Sequence, residues 1–220
     1  MIWNLPNILT VARLLAAPGV VLMFLYFSRP YADWFALLLF VGAAITDYFD
    51  GYLARAWKQQ TKFGTMLDPI ADKAMVVIAL LVITGYAGMN PWILLPATVI
   101  IFREVFVSGL REFLGDTAGT LAVTQLAKWK TTAQMVAIAV LFGTGIFQHM
   151  LLDRMTGMDP SVVEEIFAGG DDPVHLRLID WAAWMTWWVG IILLWIAAVL
   201  TLVTGIDYFR KAWPFLKEDA

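Results

Sequence analysis

The sequence predicts an all-α, polytopic membrane protein with six transmembrane helices, and three observations predict it. Of 220 residues, 60% are hydrophobic and only 15% are charged, where a soluble domain carries about 25% charged residues. Six stretches reach the roughly 20 mostly apolar residues that a helix needs to cross a bilayer. The basic residues are also divided unequally between the two ends of those stretches. The same composition excludes a disordered chain and a nucleic-acid binder. With no cysteine, disulfides, zinc–thiolate centres and iron–sulfur clusters are excluded as well. No internal repeat or low-complexity segment divides the chain, so residues 1–220 read as one integral-membrane domain.

The first span covers about 8–28. Its first charge is Arg13 and no small-residue cleavage pattern follows it, so it is expected to stay as a span and not to be removed as a signal peptide. The second and third spans, 32–55 and 66–88, are joined by a short basic loop. The fourth, fifth and sixth cover 91–112, 131–152 and 181–205. An even number of spans puts both termini on one face, and Lys and Arg choose which face is cytoplasmic. Arg13, Arg55, Lys58, Lys62, Lys73, Arg103, Arg111, Lys128, Lys130, Arg210, Lys211 and Lys217 fall on the face of the termini, against Arg29, Arg154 and Arg177 on the other. The first face is therefore expected to be cytoplasmic. The long 153–180 connection is acidic and extracytoplasmic on this assignment. Within it, Asp159-Pro160 predicts the start of a short helix over 160–168 and Gly169-Gly170 its end. Trp34, Trp57, Trp92, Trp129, Trp181, Trp184 and Trp213 stand near span ends, as an aromatic belt would.

Charges inside apolar spans are expensive and usually serve a site. The second span ends with Asp47, Asp50, Gly51, Ala54 and Arg55; the third begins with Gly64, Asp68, Asp72 and Lys73. Asp47 and Asp50 are three residues apart, and Asp68 and Asp72 four, so each pair shares a helix face. Facing each other, two antiparallel helices would bring four carboxylates to a common point at their cytoplasmic ends. Arg55 and Lys73 are too few and too peripheral to neutralise them, whereas hard divalent ions with oxygen ligands, Mg²⁺, Mn²⁺ or Ca²⁺, suit the set. Gly51 and Ala54 leave part of the second helix nearly without side chains, which lets a bulky phosphate-bearing ligand approach the backbone. Gly64 opens the third helix at an end that favours phosphate. Pro69 is expected in the first turns, where its missing amide costs little. A cation path is the competing use of such aspartates. It would continue across the membrane, but residues 74–83 run Ala-Met-Val-Val-Ile-Ala-Leu-Leu-Val-Ile with nothing polar.

From Asp47 to Asp72 the pattern is D-x₂-D-G-x₂-A-R-x₈-G-x₃-D-x₃-D, and it resembles the CDP-alcohol phosphotransferase motif at every position. The opening Asn4-Leu-Pro-Asn-Ile-Leu-Thr10-Val-Ala-Arg13 is similar to that of bacterial members. Arg103-Glu104-x₃-Ser108-Gly109-Leu110-Arg111 and Lys128-x-Lys130-Thr131 resemble the branch that makes phosphatidylglycerol phosphate. The resemblance implies transfer of the phosphatidyl group from CDP-diacylglycerol to sn-glycerol 3-phosphate in the inner membrane of a bacterium, by a homodimer. It implies that Asp47, Asp50, Asp68 and Asp72 hold two divalent ions, Mg²⁺ or Mn²⁺, and that Asp72 is the general base. Gly51, Ala54, Arg55 and Gly64 would line the CDP pocket. The acceptor phosphate needs fixed cations; Arg111 and Lys130 are the first choices, with Arg103 and Lys128 behind them. Arg103 lies deeper, and its neighbour Glu104 could make it a structural ion pair. Serine, inositol phosphate or phosphatidylglycerol are alternative acceptors for the same chemistry, and a divalent-cation transporter is the alternative from another class.

Overall fold

Apolar runs of this length leave the backbone one local way to satisfy its own N–H and C=O groups away from water, the α-helix. The computed structural model describes residues 4–57, 61–120 and 125–217, without the side chains at 48, 50–56, 116, 118, 120, 125, 127 and 128. The described chain is helical: α1 (Leu5–Tyr26), α2 (Tyr31–Ala56), α3 (Lys62–Tyr86), α4 (Pro91–Leu114), α5 (Gln125–Met155), α6 (Pro160–Phe167) and α7 (Leu176–Ala212). Short 3₁₀ turns follow α4 and α7, and no strand occurs among the described residues.

The helix ends follow from local chemistry. Asn4 caps α1 by accepting the Asn7 amide at 3.0 Å, and Asn90 caps α4 ahead of Pro91. Gly115 ends α4 with a positive φ of 53°. The short helix expected in the acidic loop is α6. Asp159 caps it, Pro160 opens it, and Gly169 follows at φ 109°. One expectation is corrected at α3. Thr61 Oγ1 accepts the Gly64 amide at 3.0 Å, so the helix starts at Lys62, ahead of the predicted span. Pro69 is then its eighth residue, past the first turn, and the helix gives up an interior hydrogen bond there.

Among the described residues, four helical segments are long and apolar enough to cross a membrane: Leu5–Tyr26, Pro91–Leu114, Trp129–Met155 and Leu176–Phe215. The tryptophans expected near span ends are exposed on the protein surface, as residues of an interfacial belt must be.

The chain divides into two compact units. The first comprises residues 1–83 and 138–190 and contains α1, α2, most of α3, the later part of α5, α6 and the start of α7. Its interior includes Phe40 and Phe142, whose rings meet edge to face at 6.1 Å, and the buried Ala17, Val20, Leu80 and Ile138. A buried ion pair sits in the same unit. Arg29 donates to both oxygens of Asp33 at 2.6 and 2.7 Å, and Gly145 leaves the space they fill. The second unit comprises residues 84–137 and 191–220, with Ile93, Ala97, Ile100, Leu194 and Ala197 buried. There Trp195 donates its indole N–H to the Trp92 carbonyl at 3.0 Å.

Candidate active site

In the first unit, α2 ends at Ala56 and α3 begins at Lys62, and shared contacts to one α1 side chain bring the last turns of the first helix to the first turns of the second. Asp47 lies on α2, and Asp68 and Asp72 lie on α3. The residue that joins them comes from α1. Arg13 is buried, and its Nη1 donates to both Asp47 Oδ1 and Asp72 Oδ1. Its Nη2 stands 4.0 Å from Asp68 Oδ1. Thr10, one turn earlier on α1, donates its hydroxyl to the same Asp68 oxygen at 2.8 Å.

The site is therefore a three-helix construction. Each carboxylate leans on the α1 guanidinium while its side chain stays about half exposed, leaving oxygen lone pairs available to a ligand. Among the described residues no three His or acidic side chains form a ready-made metal cage. The aspartates gather round a cation, because like charges this close need one between them.

Sequence reasoning named Asp47, Asp68 and Asp72, and the structure brings all three to one point. It looked for compensating charge at Arg55 and Lys73 and gave Arg13 no settled role. The available signal was the polar series Asn7, Thr10, Arg13, at steps of three along an otherwise apolar helix. Asn7 also belongs to this wall. Its side-chain amide donates to Thr61 Oγ1 at 2.8 Å. Gly64, expected to line the CDP pocket, lies against it, and a Cβ at Gly64 would stand 2.6 Å from Asn7 Oδ1. Asp50, Gly51, Ala54 and Arg55 fall on α2, with side chains outside the described set.

In the second unit the expected acceptor-binding cations are organised by one acid. Glu104 Oε1, on α4, accepts from Lys130 Nζ on α5 and from Arg103 Nη1 at 3.2 Å. Lys130 and Glu104 are both buried. Arg103 is thus paired, as one sequence expectation held, but Glu104 also crosses to a second helix. Arg111 lies over the Tyr208 ring, 5.4 Å from its centroid, in a cation–π contact. The Lys128 side chain is outside the described residues.

The comparisons with known proteins bear on the family. The family model described as CDP-alcohol phosphatidyltransferase matches residues 3–203. A protein of Cereibacter sphaeroides named CDP-diacylglycerol–glycerol-3-phosphate 3-phosphatidyltransferase is 63% identical over the full length of both chains. A protein of the same name from Rickettsia bellii is 39% identical over 94% of each chain. Another, from Escherichia coli, is 44% identical over 64% of this chain and 78% of its own. A motif complete from Asp47 to Asp72, carboxylates drawn together from two helices, and similarity that runs the length of the molecule lead to one conclusion: the chain belongs to the CDP-alcohol phosphatidyltransferase family.

Proposed function

We propose that the protein transfers the phosphatidyl group of CDP-diacylglycerol to sn-glycerol 3-phosphate, giving phosphatidylglycerophosphate and CMP. The observation that carries this reading is the gathering of Asp47, Asp68 and Asp72 around Arg13, in a chain similar throughout to a protein named for that reaction. The free primary hydroxyl of glycerol 3-phosphate attacks the phosphatidyl phosphorus. The phosphorus–oxygen bond to the cytidylyl phosphate breaks, and CMP leaves. The hydroxyl proton passes to the Asp72 carboxylate, which acts as general base. Arg13 fixes that carboxylate from one side and leaves the other open.

Asp47, Asp50, Asp68 and Asp72 would hold two divalent ions, Mg²⁺ or Mn²⁺. Their donors are all hard oxygens, and the three described carboxylates already share a cation, the Arg13 guanidinium. Bound there, such ions supply charge neutralisation to the pyrophosphate and the departing CMP. Gly51, Ala54, Arg55 and Gly64 line the CDP pocket in this reading. Arg111, Lys130, Arg103 and Lys128 serve the acceptor phosphate.

All six long helices cross the bacterial inner membrane, α2 and α3 included, with both termini and the active site cytoplasmic. The distribution of Lys and Arg supports that orientation, and family resemblance supports a homodimer. The decisive experiment incubates purified protein with CDP-diacylglycerol, Mg²⁺ or Mn²⁺, and labelled glycerol 3-phosphate, serine, inositol phosphate or phosphatidylglycerol in parallel. Label in phosphatidylglycerophosphate, with CMP released in equal amount, is the expected result. Label in lipid from another alcohol overturns the acceptor while keeping the chemistry. Metal flux through protein-loaded liposomes, indifferent to CDP-diacylglycerol, overturns both.

A further inference from the structure

Glu104 has no part in the reaction proposed above, yet it is a buried carboxylate within an apolar helix, the costly kind of residue that an apolar packing surface does not need. One of its oxygens, Oε1, accepts from Lys130 on α5 and from Arg103 on its own helix. On the two helices that carry this triad, α4 and α5, two polar atoms are buried without a protein partner among the described residues: Arg103 Nε and Gln134 Oε1. Gln134 is one helical turn beyond Lys130 on α5, so the two share a face. Gly205, on α7, fixes the run of the Arg103 stem; a Cβ there would lie 2.9 Å from Arg103 Cγ. A closed structural ion pair would leave no donor and no acceptor stranded in a buried environment, because each costs free energy until something fills it. A ligand that accepts from Arg103 and donates to Gln134 is one carrying an anionic oxygen and a hydroxyl, and a polyol phosphate monoester has both.

We propose that Glu104 is a positioning residue for the phosphate of the acceptor alcohol: it holds Lys130 and Arg103 side by side in the interior, where a phosphate monoester meets both. The proposal rests on the assignment of Lys130 and Arg103 to that phosphate. Without the Glu104 charge two buried cations face each other unneutralised. Lys130, whose long stem reaches water readily, turns outward, and the acceptor loses a preorganised partner while the CDP-binding residues are untouched.

The test is steady-state kinetics on the full-length protein in detergent or proteoliposomes, varying each substrate separately. Glu104→Gln is expected to raise KM for glycerol 3-phosphate about tenfold, the scale of one charge-assisted hydrogen bond, with kcat and KM for CDP-diacylglycerol changed less than about threefold. In a Lys130→Gln background the same change is expected to add less than about twofold, because the residue acts through Lys130. Glu104→Asp, which keeps the charge but shortens the reach to Lys130 and Arg103, is expected to raise the KM for glycerol 3-phosphate by a smaller factor, about three- to fourfold. If Glu104→Gln raises KM for both substrates alike, or leaves both unchanged, or if its effect multiplies in full with that of Lys130→Gln, the proposal is overturned. If Glu104→Gln does not fold, the comparison passes to Glu104→Asp: a rise in the acceptor KM alone supports the proposal, and any other pattern overturns it. A Lys130→Gln variant with unchanged KM for glycerol 3-phosphate removes the acceptor-site assignment itself, whereas a raised KM there with none in Glu104→Gln removes only the role of Glu104.

Discussion

Arg13, buried on α1, donates a hydrogen bond to Asp72 on α3, 59 residues further along the chain. The same nitrogen serves Asp47 on α2, so one side chain ties together the two helices that carry the aspartates. Arg13→Gln is expected to lower the thermal midpoint of the protein in EDTA, since three half-exposed carboxylates are then left facing one another without the cation between them. Carboxylates left facing one another should then bind Mg²⁺ in its place, and the midpoint should rise more on adding Mg²⁺ than it does in the native protein. Thermal unfolding followed by tryptophan fluorescence, with and without the ion, measures both. An equal Mg²⁺ response in the two proteins would show that Arg13 and the metal do not share these carboxylates.

Asp72→Asn keeps the size of the side chain and removes its basicity. Loss of a general base typically lowers the rate by about 10²–10⁴-fold, and transfer is expected to fall in that range while CDP-diacylglycerol still binds. Asp68→Asn should instead weaken metal dependence and CDP-diacylglycerol binding together. Equilibrium binding of the labelled nucleotide lipid, set beside turnover, separates the two outcomes.

Gly64 has two claims on it, a close approach to Asn7 and a place in the CDP pocket. Gly64→Ala puts a methyl group 2.6 Å from Asn7 Oδ1, and overpacking of this kind costs about 1–3 kcal/mol. Adding Asn7→Ala makes room for it. If packing is the whole role of Gly64, the double variant should be more stable than Gly64→Ala alone and should regain its KM for CDP-diacylglycerol. If the glycine also admits the nucleotide, stability returns and the KM does not. The second result is expected.

At Gly145 the added Cβ would overlap both Asp33 Oδ1 and Arg29 Nη2, while Asp33 is only 1% exposed. No rotamer shift of a fully enclosed carboxylate clears that overlap, so Gly145→Ala must disturb the pair. A loss of about 1–3 kcal/mol is expected, as for other overpacked sites. The thermal midpoint should fall sharply, and turnover per folded molecule at low temperature should not change.

Asp172 caps α7. Burial opposes its charge, but the Leu176 and Arg177 amides and the Arg177 guanidinium outweigh it and hold the carboxyl below the usual 3.8. A depressed native pKa gives stability that is present above the unfolded value and lost as pH falls through the folded one. Asp172→Ala should therefore lower the thermal midpoint at pH 7, and the difference from the native protein should shrink as pH drops below about 4. Parallel melts across that range check the sign.

The helices were legible in the sequence because their causes are local. Long apolar runs must close their backbone hydrogen bonds internally, and Asp159 marks the start of a short helix by what it caps, whereas the caps at Asn4, Asn90 and Thr61 came from the structure. The aspartate motif was legible for the same reason, since steps of three and four residues fix a shared face whatever the helix packs against. Pro69 was misplaced because a cap at Thr61, ahead of the apolar run, sets where α3 begins.

What only the tertiary structure decided is which faces meet. A helix apolar nearly all round carries little information about its rotation against its neighbours, so nothing in the chain order said that Arg13 would turn toward Asp47 and Asp72. Nor did it say that Glu104 would reach Lys130 across two helices, or that Gly145 would open beside Asp33. Each of these contacts links residues far apart in sequence, and each is fixed by packing and by the cost of burying a charge without its partner. The sequence by itself determined a membrane-spanning helical chain with four motif aspartates. The tertiary structure decided that a buried arginine from the first helix holds the three described ones together.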